Sequence, residues 1–226
     1  MATFVLVHGA WGGSYGFRAV RRILNAAGHE VLTPSLTGLG ERSHLTGPHV
    51  DLSLHVRDVV NVLHYDDLED VVLLGFSYGG MVVTGALEQV ADRVRELVYL
   101  DAFVPDDGDS VRSLTGGALG DPAAPTVPAG IRTFEDPIVA ARSNPRRHAQ
   151  PTRTLTEAVR VSVPVEQRGV GLTYIRATAD PNGAMFDASA ARARTSDAWR
   201  YHEIATTHMV PENRPSELAE LLLALA

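Results

Sequence analysis

The chain has no cysteine, and because each of its 20 basic residues is an arginine it has no lysine either. Without cysteine there is no thiolate nucleophile, no disulfide framework and no Cys-ligated zinc site. Without lysine there is no Schiff base and no Walker-A phosphate contact. Positive charge is also scarce: 27 acidic residues against the 20 arginines leave a net charge of −7, which lacks the electrostatic footprint of a nucleic-acid binder. The N-terminal Met1-Ala2-Thr3-Phe4 stretch lacks the basic region, long apolar run and small-residue cleavage site of a signal peptide, and the expected location is cytoplasmic. Covalent catalysis, if the chain performs any, falls to Ser, Thr, Asp, Glu, His or Tyr.

What is present suits one soluble globular domain over residues 1–226. The chain is 45% hydrophobic and 21% charged, and its length can bury a substantial core. Apolar runs at 4–7, 31–32, 71–74, 97–100, 172–177 and 199–204 read as strands. Helical spacing marks 15–27, 52–63, 81–90, 186–194 and 212–225. Strands alternating with helices predict an α/β fold with a doubly wound, mostly parallel sheet. Between 104 and 169 the pattern breaks, with prolines at 105, 122, 125, 128, 137, 145, 151 and 164. Only 139–142 and 155–160 look helical there, so this segment reads as a short inserted helical lid.

Gly75-Phe76-Ser77-Tyr78-Gly79-Gly80 fits G-x-S-x-G, directly after an apolar strand and directly before a helix. A tight strand-to-helix turn lifts such a serine clear of the sheet, and the flanking glycines remove Cβ atoms that would clash. The plainer reading, a serine capping a helix after a Gly-rich turn, has nothing to say about the partners downstream. A serine hydroxyl needs an adjacent base, and His208 is the one histidine in the loop between the last strand and the last helix. Asp180, after strand 172–177, is favoured as the acid that orients the imidazole, on the chain order Ser, Asp, His; Asp101, which ends strand 97–100, is its competitor. The Gly-rich loop after the first strand suggests an oxyanion hole made by the backbone N–H groups of Ala10 and Tyr78. Trp11, Phe76, Phe103 and Met209 are expected near the substrate, along with the loop 37–44. The arginines at 142, 146, 147 and 153 read as a solvated face, or alternatively as an attractor for an anionic or phenolic substrate. No metal and no cofactor are assigned, and no H-E-x-x-H run occurs.

Taken together, Phe4-Val5-Leu6-Val7-His8-Gly9-Ala10-Trp11, Gly75-Phe76-Ser77-Tyr78-Gly79-Gly80-Met81, Leu97-Val98-Tyr99-Leu100-Asp101-Ala102-Phe103-Val104-Pro105 and Thr207-His208-Met209 resemble the α/β-hydrolase superfamily. More narrowly they resemble its small-lid branch of plant methyl esterases, hydroxynitrile lyases and bacterial pyrethroid-hydrolase-type esterases. The resemblance also favours Asp180, through its interval to His208. Lyases of that branch carry lysine after the histidine and threonine in the oxyanion loop, whereas this chain has Met209 and Gly9. The resemblance therefore implies a serine esterase acting on a small or aromatic carboxylic ester. The expected partner is that small molecule, with no nucleic acid and no membrane, and a homodimer is left open. Two alternatives remain: a carbon–carbon bond hydrolase or other acyl-type reaction on a polyketide-like or aromatic metabolite, and a ligand-binding protein on a hydrolase fold.

Overall fold

Six of the apolar runs pair side by side in one parallel sheet. In the computed structural model, which describes residues 1–119 and 121–226, the elements run β1 (Thr3–Val7), α1 (Arg18–Ala26), β2 (Glu30–Leu32), α2 (Leu52–Tyr65), β3 (Val71–Phe76), α3 (Gly79–Val90) and β4 (Val94–Leu100). The inserted segment holds α4 (Val111–Leu114), β5 (Thr126–Val127), α5 (Pro137–Ser143), β6 (Gln150–Pro151) and α6 (Thr152–Thr156). The chain then returns through β7 (Gly171–Ala177), α7 (Asp187–Arg194), β8 (Trp199–Ile204), α8 (Val210–Asn213) and α9 (Pro215–Leu223). Gly120, which falls inside the expected insertion, lies outside the described residues.

The sheet order is β2-β1-β3-β4-β7-β8, and every pairing in it is parallel. Parallel strands joined by helices must be covered on both faces, which is why β3 is buried along its whole length. The strand period of two sorts the side chains. Val5, Val7, Leu73, Leu97, Tyr99, Leu172 and Tyr174 face one core, shared with α2, α3 and α7. Phe4, Leu6, Val72, Leu74, Val98, Leu100 and Ile175 face the other, shared with α1 and α9. Truncating a fully buried member such as Leu73 to alanine would cost about 2–5 kcal/mol.

All six strands end at the same edge, so the loops after β1, β3, β4, β7 and β8 converge there. The chain reverses its direction of winding between β1 and β3, and the crevice at such a switch point is where open α/β sheets bind ligands. Three details depart from the sequence expectation. The final helix is broken into α8 and α9, because Arg214 precedes Pro215 and is pushed out of the helical region to φ −131°, ψ 52°. In the insertion, α6 starts earlier, directly after Pro151, and stops at Thr156. The capped turn α4 and the small β5–β6 ribbon carry too little periodicity to announce themselves. Among the described residues no helix is long and apolar enough to cross a membrane.

Candidate active site

Ser77 occupies the turn between β3 and α3 with φ +57°, a left-handed conformation that side chains other than glycine rarely adopt. Its N–H donates to the carbonyl of Leu100, and its own carbonyl accepts from Gly80 N–H, so the turn is tied at both ends. The glycines around it are there for room. A Cβ at Gly75 would lie 2.7 Å from the Gly79 carbonyl oxygen, and one at Gly79 would lie 2.7 Å from that of Val7. Gly9, in the loop after β1, faces the serine directly: a Cβ there would stand 2.9 Å from Ser77 Cβ.

His208 lies in the loop between β8 and α8, buried against two aromatic rings. Phe186 stacks on its imidazole at 5.0 Å between ring centres, and Phe76 is tilted against it at 4.7 Å. Its Nδ1 is 2.7 Å from Asp101 Oδ2. The carboxylate on the His208 ring is thus Asp101, at the end of β4, and not the Asp180 favoured on chain order. Asp180 reaches the same residue by a different route: its Oδ2 accepts the backbone N–H of His208 at 2.9 Å, and its Oδ1 accepts from Asn182 N–H.

The difference between the two contacts follows from how each carboxylate is held. Asp101 is fully buried at φ +41°, and its Oδ1 accepts from the Arg176 guanidinium at 2.6 Å and from Ala177 N–H at 3.2 Å. Arg176 is itself clamped by the Gly183 carbonyl and by Asp187. Burial works against the guanidinium charge, but the charge and hydrogen bond of Asp101 outweigh it and raise the Arg176 pKa. A buried carboxylate with a charged partner and an N–H donor on one oxygen keeps the other oxygen aimed at the imidazole. Arg176 within an otherwise apolar strand is the sequence signal that could have pointed here, since a buried cation requires a buried anion.

Two atoms in the crevice are left without protein partners. Among the described residues neither Ser77 Oγ nor His208 Nε2 makes a hydrogen bond, to each other or to anything else. Such catalytic contacts are often long before substrate arrives. The N–H groups of Ala10 and Tyr78 likewise donate to no protein acceptor among the described residues.

His8, at the start of the Gly-rich loop after β1, shapes that loop. It accepts the Leu36 N–H on Nε2 at 3.0 Å and therefore donates from Nδ1 to the Gly9 carbonyl at 2.8 Å. Burial pushes its pKa down to about 4, so the ring is neutral near pH 7. Beside the loop lies a small cavity whose apolar wall includes Ala10, Phe17, Phe76, Phe134 and Met209. Its lining also includes polar side chains. There Ser143 donates to Glu212, whose carboxyl burial pushes upward, and Arg147 faces in with a guanidinium that burial lowers to about 10. Of the four side chains expected near substrate, Phe76 and Met209 line this cavity. Phe103 instead packs against Phe186 at 4.8 Å in the core, because its backbone is drawn beneath the first turn of α3. Trp11 is held by the insertion, with its indole N–H on the Val127 carbonyl at 2.9 Å. Of the arginine cluster, Arg153 pairs with Asp51 and Arg147 alone of the four lines the cavity. Among the described residues no group of three or more His, Asp or Glu side chains is arranged to hold a metal ion.

The chain that carries this site is similar to known proteins. A carbendazim hydrolyzing esterase from Nocardioides sp. (strain SG-4G) is 53% identical over 119 residues, covering 53% of this chain and 49% of that protein. Salicylic acid-binding protein 2 of Nicotiana tabacum is 36% identical over 107 residues, covering 46% and 40%. The matched stretch therefore spans about half the length of these relatives or less. Over the whole fold, an extracellular alpha/beta-hydrolase from a Paenibacillus species superposes with a TM-score of 0.82 at 26% identity, covering 99% of this chain and 98% of that one. The model of the alpha/beta hydrolase family matches residues 4–221. The chain belongs to the alpha/beta hydrolase family.

Proposed function

We propose that the protein is a serine hydrolase that cleaves a small or aromatic carboxylic ester. The observation that carries this reading is the pairing of an elbow-mounted Ser77 with an imidazole whose Nδ1 is taken by the buried Asp101. With Nδ1–H donated to Asp101, Nε2 is the basic nitrogen, and it is the one left open. Relatives named as esterases support the reaction class, and the aromatic wall of the cavity favours an aryl or similarly flat group.

Ser77 Oγ attacks the ester carbonyl while His208 Nε2 accepts its proton. Asp101 stabilises the imidazolium and holds its tautomer, and the Ala10 and Tyr78 N–H groups receive the oxyanion. The tetrahedral intermediate collapses, the leaving alkoxide takes the proton from His208, and an acyl-Ser77 ester remains. Water then attacks that ester, giving one proton to His208, which returns it to Ser77 Oγ as the acid departs. Asp180 acts through the backbone of His208, fixing where the ring is hung rather than how it is charged.

The test is labelling by a fluorophosphonate probe together with turnover of a panel of aryl and methyl esters. Labelling and turnover that both vanish in Ser77→Ala support the reading. Turnover that survives in Ser77→Ala at near the original rate removes it.

A further inference from the structure

The oxyanion loop does not hold its own shape. Gly9 to Gly12 form a turn closed by Gly12 N–H on the Gly9 carbonyl, and Trp11 sits at its third position with φ +62°. That position suits glycine or asparagine, and a bulky residue there is strained. Something must hold it, and the insertion does so at three points. Trp11 N–H donates to Gln150 Oε1 at 2.8 Å, the Trp11 carbonyl accepts from His148 N–H at 3.2 Å, and the indole donates to Val127.

Gln150 is fully buried, and both ends of its amide are used. Its Nε2 donates to Thr154 Oγ1 at 2.6 Å, and Thr154 donates on to the Pro151 carbonyl at 2.6 Å. The Thr154 hydroxyl also lies against that of Tyr78, the residue after the serine. Tyr78 is held from its other side by His55, which is buried and neutral. His55 donates from Nε2 to the Thr37 carbonyl at 2.8 Å and accepts the Tyr78 hydroxyl on Nδ1 at 2.9 Å. Asp58 completes the line, accepting both the N–H and the hydroxyl of Thr37. One buried polar chain thus touches the two residues, Trp11 and Tyr78, that adjoin or carry the proposed oxyanion donors.

We infer that Gln150 is a positioning residue of the oxyanion hole, through which the insertion sets the Ala10 N–H against the reacting carbonyl. The inference rests on the serine-hydrolase reading above. The peptide that carries the Trp11 N–H is the one directly after Ala10, so loosening it lets the strained turn relax and moves the Ala10 donor. Donors aimed at an oxyanion contribute only when their geometry is held, and losing one costs about 10²–10³-fold in kcat.

The experiment compares wild type, Gln150→Leu and Gln150→Glu on one aryl ester, with binding of an aryl trifluoromethyl ketone, which adds Ser77 as a tetrahedral oxyanion, and of the product carboxylate. Gln150→Leu is expected to lower kcat by about 10–100-fold, with KM and product affinity within about twofold and ketone affinity falling in step with kcat/KM. A glutamic acid, when protonated, can both accept from Trp11 and donate to Thr154. Gln150→Glu is therefore expected to recover activity towards acid pH relative to wild type, and this variant carries the test if the leucine protein does not fold. Wild-type kcat in Gln150→Leu, or a ketone affinity that does not move, overturns the inference, as does a Gln150→Glu pH profile parallel to wild type. Loss of the serine-hydrolase reading would look different, since Ser77→Ala would then stay active whatever Gln150 does.

Discussion

The loops after β4 and β7 each send one aspartate to the same histidine, and they treat it oppositely. Asp101 is sealed at the sheet edge with Arg176 and Ala177 N–H on one oxygen and the His208 ring on the other. Asp180 is half-buried on an Asx-type turn, bonded to Asn182 N–H and to the His208 main chain. On the proposed reading the first position fixes a charge and a tautomer, and the second fixes a loop. Two carboxylates at hydrogen-bonding distance from one residue are thus not equivalent, and burial decides which can act on the imidazole, because a charge interaction strengthens as water is excluded.

Asparagine at each position breaks this comparison most sharply. Asp101→Asn keeps an oxygen for Arg176 but presents an amide to Nδ1, which forces the wrong tautomer. kcat on an aryl ester should fall by about 10⁴-fold with the thermal midpoint showing a folded protein. Arg176→Met should act on stability first: it leaves Asp101 buried without its cation, and urea unfolding should show a loss of about 3–5 kcal/mol. Asp180→Asn still offers an oxygen to the His208 N–H. Its kcat/KM should fall less than about tenfold, in line with the roughly 0.5–1.5 kcal/mol of an ordinary hydrogen bond. Asp187→Asn is the mildest, because that carboxylate is largely exposed where it meets Arg176, and its stability change should stay within about 1 kcal/mol.

The same contrast explains what could be read from the sequence. The strand-helix alternation, the sheet's parallel character, Ser77 on its elbow and His208 after the last strand are local patterns, each carried by a few adjacent residues. The choice between Asp101 and Asp180 is not local. Both follow strands that end at the same edge, and chain order selects Asp180. The outcome depends on a left-handed backbone at Asp101 and on an arginine 75 positions later. Within the insertion, proline spacing marks an interruption but carries no trace of Gln150 meeting Trp11 across 139 positions. Phe103 poses a related problem: an aromatic side chain after a strand can turn to the crevice or to the core, and the path of the backbone beneath α3 turns it to the core.

The most direct test of the Asp101 assignment is the downfield proton NMR spectrum of wild type, Asp101→Asn and Asp180→Asn, with the His208 Nδ1 proton assigned by its loss in His208→Gln. A strongly downfield line from that proton is expected in wild type and in Asp180→Asn, and none in Asp101→Asn. A line that persists in Asp101→Asn and disappears in Asp180→Asn would contradict the assignment.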